Sequence, residues 1–294
     1  GDWVGGAGLD EYGVAGMLLK PSGQTLSAKK SWFLFDDEIV ALGSDISAND
    51  GKTVETIVEN RKLSASGGGT LTVDGVQKPS AVGWAESMPN VQWAHLEGAV
   101  KDADIGYYFP GGATVSGLRE ERSGRWSDLA GGSSAELTAR YLSLSIDHGL
   151  NPAAASYAYV LLPGKTPQHV RNYSRKPDIS ILENSSEAHA VKENRLNIVG
   201  VNFWNDAVKT VDFVTSDKKA SVLVRDSASE IALSIADPTH KNNGVIHLEL
   251  DRSAQGILEL DPHIEVTRLS PTIQLTVHTK GLQGTAVKAR FSKH

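Results

Sequence analysis

Short apolar runs separated by turn residues recur along the whole chain. They include Ser31 to Phe35, Ile39 to Leu42, Val54 to Val58, Val91 to Leu96, Leu137 to Ile146, Ser221 to Val224, Ile231 to Ile235, Val245 to Leu250 and Ile273 to Val277. These runs are short, often alternating, and rich in branched and aromatic residues, so they predict β-strands. Between them lie Ser66-Gly67-Gly68-Gly69, Gly111-Gly112, Gly131-Gly132-Ser133-Ser134 and Lys241-Asn242-Asn243-Gly244, which read as turns. Thr166 to Tyr173 alone reads as a helix, with Pro167 suited to its first turn. Many short strands at this spacing predict an all-β architecture of the sandwich type.

The helix runs into Ser174-Arg175-Lys176-Pro177, a basic segment closed by proline. A domain boundary is expected there. Residues 1–176 then form a large antiparallel β-sandwich and residues 177–294 a smaller carboxy-terminal β-sandwich. The length of 294 residues is ample for two such cores.

Charge and composition narrow the function. The net charge of −6 argues against a general nucleic-acid binder, which needs a basic face. It also means that any site for a polyanion is local. There are no cysteines, which excludes disulfides, thiolate metal sites and cysteine nucleophiles. No apolar run approaches the ~18 residues that cross a bilayer, so no membrane partner is expected. No signal peptide is visible. The chain opens at Gly1 and reaches strand-like sequence at once, and it reads as the downstream part of a longer polypeptide.

Chemistry concentrates in two places. Asp36-Asp37-Glu38 falls between two strand runs, at a predicted hairpin corner. Three carboxylates there repel one another by about 1 kcal/mol per close pair even in water. A hard cation with oxygen ligands, calcium above all, would relieve that repulsion, and a solvated acidic turn is the alternative. The second place is Arg119-Glu120-Glu121-Arg122-Ser123-Gly124-Arg125-Trp126, with Tyr107-Tyr108 as an aromatic neighbour. Aromatic faces stack on pyranose rings and guanidinium forks pair with carboxylates, so Arg125 and Trp126 are candidate sugar contacts. A charge-laced strand end followed by a turn is the plainer reading.

Other motifs are weak. The nine histidines show no zinc-hydrolase spacing. Asp147-His148 lacks an accompanying Gly-x-Ser-x-Gly elbow, so His148 reads as a packed turn residue. His95 reads as half-buried in a strand. The glycine clusters open no long helix and are not phosphate loops.

The run from Lys29 to Gly43 with its acid corner closely resembles the β-rich carboxy-terminal half of the family 8 polysaccharide lyases, the group of hyaluronate, chondroitin AC and xanthan lyases. Asp104 to Thr114, Ile146 to Gly149, Ser156 to Pro163 and Asn202-Phe203-Trp204 are similar to the same family. The stretch Tyr107-Tyr108-Phe109-Pro110-Gly111-Gly112 looks most like its xanthan lyase branch.

The resemblance implies a supersandwich followed by a carboxy-terminal sandwich. It implies Glu193 as a fourth carboxylate beside Asp36, Asp37 and Glu38, with a structural calcium pinning the two sandwiches together. The implied reaction is β-elimination at a uronic acid, releasing terminal mannose from glucuronate in xanthan side chains. A tyrosine acts as base and acid, helped by a histidine and a carboxylate-neutralising asparagine. In the family these residues lie on an upstream α/α-toroid domain of the same polypeptide, so no catalytic residue is expected here. The partners implied are that domain and an anionic polysaccharide, and the implied location is extracellular, in a bacterium. In relatives the loop after the tryptophan can carry a basic residue, whereas Leu129-Ala130-Gly131-Gly132-Ser133 has none. A hyaluronate or chondroitin AC lyase stays open as an alternative. So does a non-catalytic carbohydrate-binding module.

Overall fold

The computed structural model describes residues 2–65 and 69–294. The turn expected at Ser66-Gly67-Gly68 therefore lies outside the described residues. The expectation of an all-β chain holds. The order begins with β1 (Val4–Leu9), β2 (Tyr12–Leu19), β3 (Ser27–Leu34) and β4 (Ile39–Ser47). Next come β5 (Thr53–Lys62), β6 (Leu71–Val73), β7 (Val76–Gln77), β8 (Ala85–Leu96), β9 (Ile105–Gly124), β10 (Leu137–Leu150), β11 (Ala155–Pro163) and helix α1 (Pro167–Arg175). The chain continues with β12 (Ile179–Asn184), β13 (Ala188–Glu193), β14 (Ile198–Phe203), β15 (Lys209–Val211), β16 (Val214–Ser216) and β17 (Ala220–Asp226). It ends with β18 (Glu230–Ala236), β19 (Val245–Leu250), β20 (Gly256–Leu260), β21 (Ile264–Arg268), β22 (Ile273–His278) and β23 (Val287–Ser292).

Two compact units emerge, and packing does not follow a linear cut at residue 176. One unit joins Gly1–Asp50, Ala153–Ser156 and Asp178–His294; the other holds Gly51–Pro152 and Tyr157–Pro177. In the first, β1 to β4 form an antiparallel meander in sequence order. A seven-stranded sheet, β12-β13-β14-β17-β18-β23-β20, faces a five-stranded one, β15-β16-β19-β22-β21. Val199, Val201, Phe203, Val222, Val224 and Leu233 from the larger sheet meet Ile246, Leu248, Ile273 and Leu275 from the smaller one in a single core. The other face of the larger sheet is covered by the meander. That is why all six residues of β14 are buried and alternation disappears there. Gly200 leaves room for the Phe33 ring, and the Trp3 indole N–H donates to the Phe203 carbonyl at 3.2 Å. The packing reason for the unit boundary is plain: the meander buries its apolar face on residues from the far end of the chain.

The second unit is built on β9, a 20-residue strand. Its first half lies between β11 and β8, and its second half between β10 and β8. Strand β5 extends this sheet beyond β10, and β6 extends it beyond β8. Gly111 and Gly112, expected as a turn, lie inside β9 instead. Both take left-handed φ values, 75° and 79°, opposite a register shift in β8 around Val91. They form a bulge that kinks a continuous strand. A Cβ on Gly112 would come within 2.3 Å of the Asn90 amide. Helix α1 is where the sequence placed it. The Thr166 hydroxyl accepts from the His169 N–H at 3.2 Å as N-cap, Pro167 opens the first turn, and Val170 and Tyr173 are buried.

Candidate functional site

The acid corner forms between β3 and β4. The Phe35 N–H donates to the Glu38 carbonyl at 3.0 Å, and the Asp37 N–H donates to the Asp36 carboxylate at 2.9 Å. At this tight closure Asp36 and Glu38, which an extended strand would also place on one face, stay together, and the convergence of all three acids does not occur. Carboxylate oxygens of Asp36, Glu38 and Glu193 all lie within 4.8 Å of one another. Glu193 arrives from the end of β13, opposite Ile198 in a four-residue hairpin, and its carboxylate accepts from the Leu196 N–H of that turn. Asp37 does not join the three. Its carboxylate points instead toward Arg195, 3.9 Å away.

The electrostatics of this cluster are unbalanced. Glu38 is 2% exposed, and its Oε1 has no hydrogen-bond partner. Burial, with Glu193, Asp36, Asp178 and Asp37 adding to it, pushes its carboxyl up to about 8. Burial also raises Glu193, aided by Asp36 and Asp178 and opposed by the Leu196 N–H and Arg195. A buried carboxylate oxygen left unpaired is costly. The donor set is all oxygen, partly buried and anionic, which suits a hard divalent cation such as calcium rather than a transition metal. Sequence reasoning missed Asp178, which sits just after α1 in an unremarkable stretch and adds to the field on Glu38.

Arg125 and Trp126 fall in the second unit. Trp126 opens a single 3-10 turn, Trp126–Asp128, and is 61% exposed. With Lys62, Leu129, Leu137 and Tyr141 the pair lines an open groove of about 410 Å³. Arg122 stands at the groove wall, stacked over the Tyr141 ring at 4.5 Å and fixed by Glu120 at 2.6 Å and Asn60 at 2.8 Å. Such an arrangement offers an aromatic face, a charged fork and hydroxyl-scale polar contacts to a sugar. Tyr107 and Tyr108, expected nearby, do not join it. Tyr107 is fully buried and its hydroxyl donates to Glu59 at 2.5 Å, while Tyr108 packs edge-on against Tyr173. Lys62 and Tyr141 were missed because β5 and β10 bring them from distant segments with no local motif.

His148 and His95 are both held in hydrogen bonds of the fold. His148 Nε2 lies 2.8 Å from the Thr56 hydroxyl, while the Asp147 carboxylate accepts from the Gly149 N–H, so the two do not form a dyad. His95 is more buried than expected, at 3% exposure, and meets Asp104 at 2.9 Å and the Lys165 carbonyl at 3.1 Å.

The fold is an all-β arrangement of antiparallel sheets, with a cluster of three carboxylates at one hairpin corner and an aromatic, basic groove elsewhere. The chain belongs to polysaccharide lyase family 8: the family's super-sandwich domain matches residues 1–174 and its C-terminal beta-sandwich domain residues 180–246. It is 48% identical over 286 residues to a xanthan lyase of Bacillus sp. (strain GL1), covering 96% of this chain and 31% of that protein. A hyaluronate lyase of Thermasporomyces composti is 34% identical over 289 residues, covering 98% and 36%. The solved structure of a Paenibacillus xanthan lyase superposes with a TM-score of 0.97 at 50% identity, covering all of this chain and 29% of that one. A Streptomyces coelicolor chondroitin AC lyase superposes with a TM-score of 0.86 at 31% identity. The chain thus spans about a third of the length of each of these four relatives. Among the described residues no helix is long and apolar enough to cross a membrane.

Proposed function

We propose that this chain is the β portion of a secreted lyase that removes terminal mannose from the glucuronate of xanthan side chains by β-elimination. The observation that carries this reading is the 48% identity to a xanthan lyase along 96% of the chain, well above the 34% to a hyaluronate lyase. In β-elimination the proton α to the uronate carboxylate leaves to a base, and the 4-linked sugar departs with the C4–O electron pair. The residues for that step belong to an upstream α/α-toroid domain of the same polypeptide, and none is assigned to these 294 positions.

This chain binds and orients. Trp126 presents a face for the apolar side of a pyranose, and Arg125, which has no ion-pair partner among the described residues, meets a substrate carboxylate from the near side of the loop. Arg125 would supply the positive charge that the loop from Leu129 to Ser133 lacks. Asp36, Glu38 and Glu193, with Asp37 brought in, would hold a structural calcium. The ion supplies positive charge to a corner short of it and takes no part in bond breaking.

The test is incubation of the intact polypeptide with xanthan, hyaluronan and chondroitin in parallel, following the far-ultraviolet absorbance of the unsaturated uronate. A rise with xanthan alone supports the reading. A rise only with the glycosaminoglycans moves the substrate within the family. No rise with any of them favours a non-catalytic carbohydrate-binding module.

A further inference from the structure

The hairpin between β13 and β14 delivers two opposite charges to the same place. Glu193 ends β13 and Ile198 begins β14 opposite it, so Asn194, Arg195, Leu196 and Asn197 form the turn, with Asn197 in the left-handed region at φ 54°. The turn sends the Glu193 carboxylate into the acidic cluster. It sends the Arg195 guanidinium over the same cluster, where Nη1 lies 3.4 Å from Asp178 and 3.9 Å from Asp37. The Asp178 carboxylate is held in turn at the start of β12, where its backbone carbonyl accepts from the Asn194 N–H at 2.7 Å. Arg195 is itself largely exposed, with 64% of its side chain open to solvent. It is an exposed charge carried on a four-residue hairpin turn.

We infer that Arg195 is a built-in counter-cation of the acid corner, one that competes with a bound divalent cation and supports the corner when no such cation is present. This inference rests on the reading that Asp36, Glu38 and Glu193 hold a hard cation. The unpartnered, buried Oε1 of Glu38 independently points to a ligand there. The Arg195 guanidinium lies within 4 Å of both Asp178 and Asp37, the carboxylates that flank the three, so its charge falls on the rim of the cluster.

The chemistry follows from charge. A guanidinium is permanently cationic and planar, and it cannot enter a compact oxygen cage as calcium does. It neutralises the rim only. A divalent ion entering the cluster meets repulsion from Arg195 and must draw Asp37 away from it. The site is therefore weaker for calcium than its carboxylates alone would make it, and the corner is less dependent on calcium for its fold. Lysine would keep the charge but lose the planar fork.

The experiment is calorimetric titration of calcium chloride into the intact polypeptide, with thermal melts in excess chelator. Wild type, Arg195→Gln and Arg195→Lys are compared. The expected result is that Arg195→Gln binds calcium about three- to tenfold more tightly and melts lower in chelator, while Arg195→Lys stays close to wild type. Unchanged or weaker binding by Arg195→Gln, with an unchanged melt in chelator, would overturn the inference and leave the metal site standing. If wild type gives no binding heat and its melt ignores chelator, the metal site itself falls and this inference with it.

Discussion

His189 is fully buried between two serine hydroxyls. Its Nδ1 lies 2.8 Å from Ser31 Oγ and its Nε2 2.8 Å from Ser44 Oγ. The Ser44 hydroxyl donates to the Ser185 carbonyl, so Nε2 must carry the ring proton and donate to Ser44. Ser31 then donates to Nδ1 and accepts from the Asn202 amide at 2.8 Å, and Asn202 accepts from Ser221 at 2.7 Å. Burial first, and Lys29 next, lower this imidazole to about 3, with Asp45 working the other way. The folded state keeps His189 neutral where the unfolded chain, with an ordinary value of 6.5, takes up a proton. Its contribution to stability is complete above about pH 6.5 and is lost as the pH falls toward 3, at about 1.4 kcal/mol per pH unit. Urea midpoints measured from pH 7 to pH 4 should fall less steeply for His189→Asn than for wild type, and equal slopes would contradict this. At Trp126, which is mostly exposed, the proposed sugar contact predicts that Trp126→Ala weakens binding of xanthan to the intact polypeptide about tenfold, the loss of one stacking contact, and shifts the melting temperature by a degree or less. Equal losses in both would mean that the indole packs and does not bind.

At the scale of elements, helix α1 depends on a missing side chain. Gly106 in β9 lies under Val170, and a Cβ there would come within 2.2 Å of a Val170 methyl. Val170 is fully buried, so the helix must move. Gly106→Ala should cost about 1–3 kcal/mol, read as a lower denaturation midpoint with an unchanged m-value. Most strands were legible because alternation and branching report a half-buried pleat directly, as in β5, and α1 was legible from Thr166 and Pro167. Gly111-Gly112 was misread because a bulge and a turn use the same residue type, and only the partner strand tells them apart. The same limit applies to the candidate sites. Asp36, Asp37 and Glu38 are adjacent and announce themselves, and Glu193 came only through family resemblance. Asp178, Arg195, Lys62 and Tyr141 reach their sites through pairings that no local pattern encodes.

At the scale of the whole molecule, the acid corner links parts of the chain more than 150 residues apart, from Glu38 in the meander to Glu193 in the seven-stranded sheet. A cation bound there would hold the meander to that sheet. Calcium at a hundredfold excess over its Kd should stabilise the intact polypeptide by about 2.7 kcal/mol. Melts with and without chelator should differ for wild type and coincide for the double variant Asp36→Asn, Glu38→Gln. A chelator response that survives in the double variant would place the ion elsewhere.

The interleaved unit also constrains how the chain comes into being. Phe33 and Trp3 are covered by Gly200 and Phe203, which are made long after them. At about 5–20 residues per second, a ribosome leaves the meander without its covering sheet for roughly 10 to 30 seconds. During that interval a four-stranded sheet waits with an apolar face in water, and the race between folding and aggregation is set by elongation rate and not by any property of the finished fold.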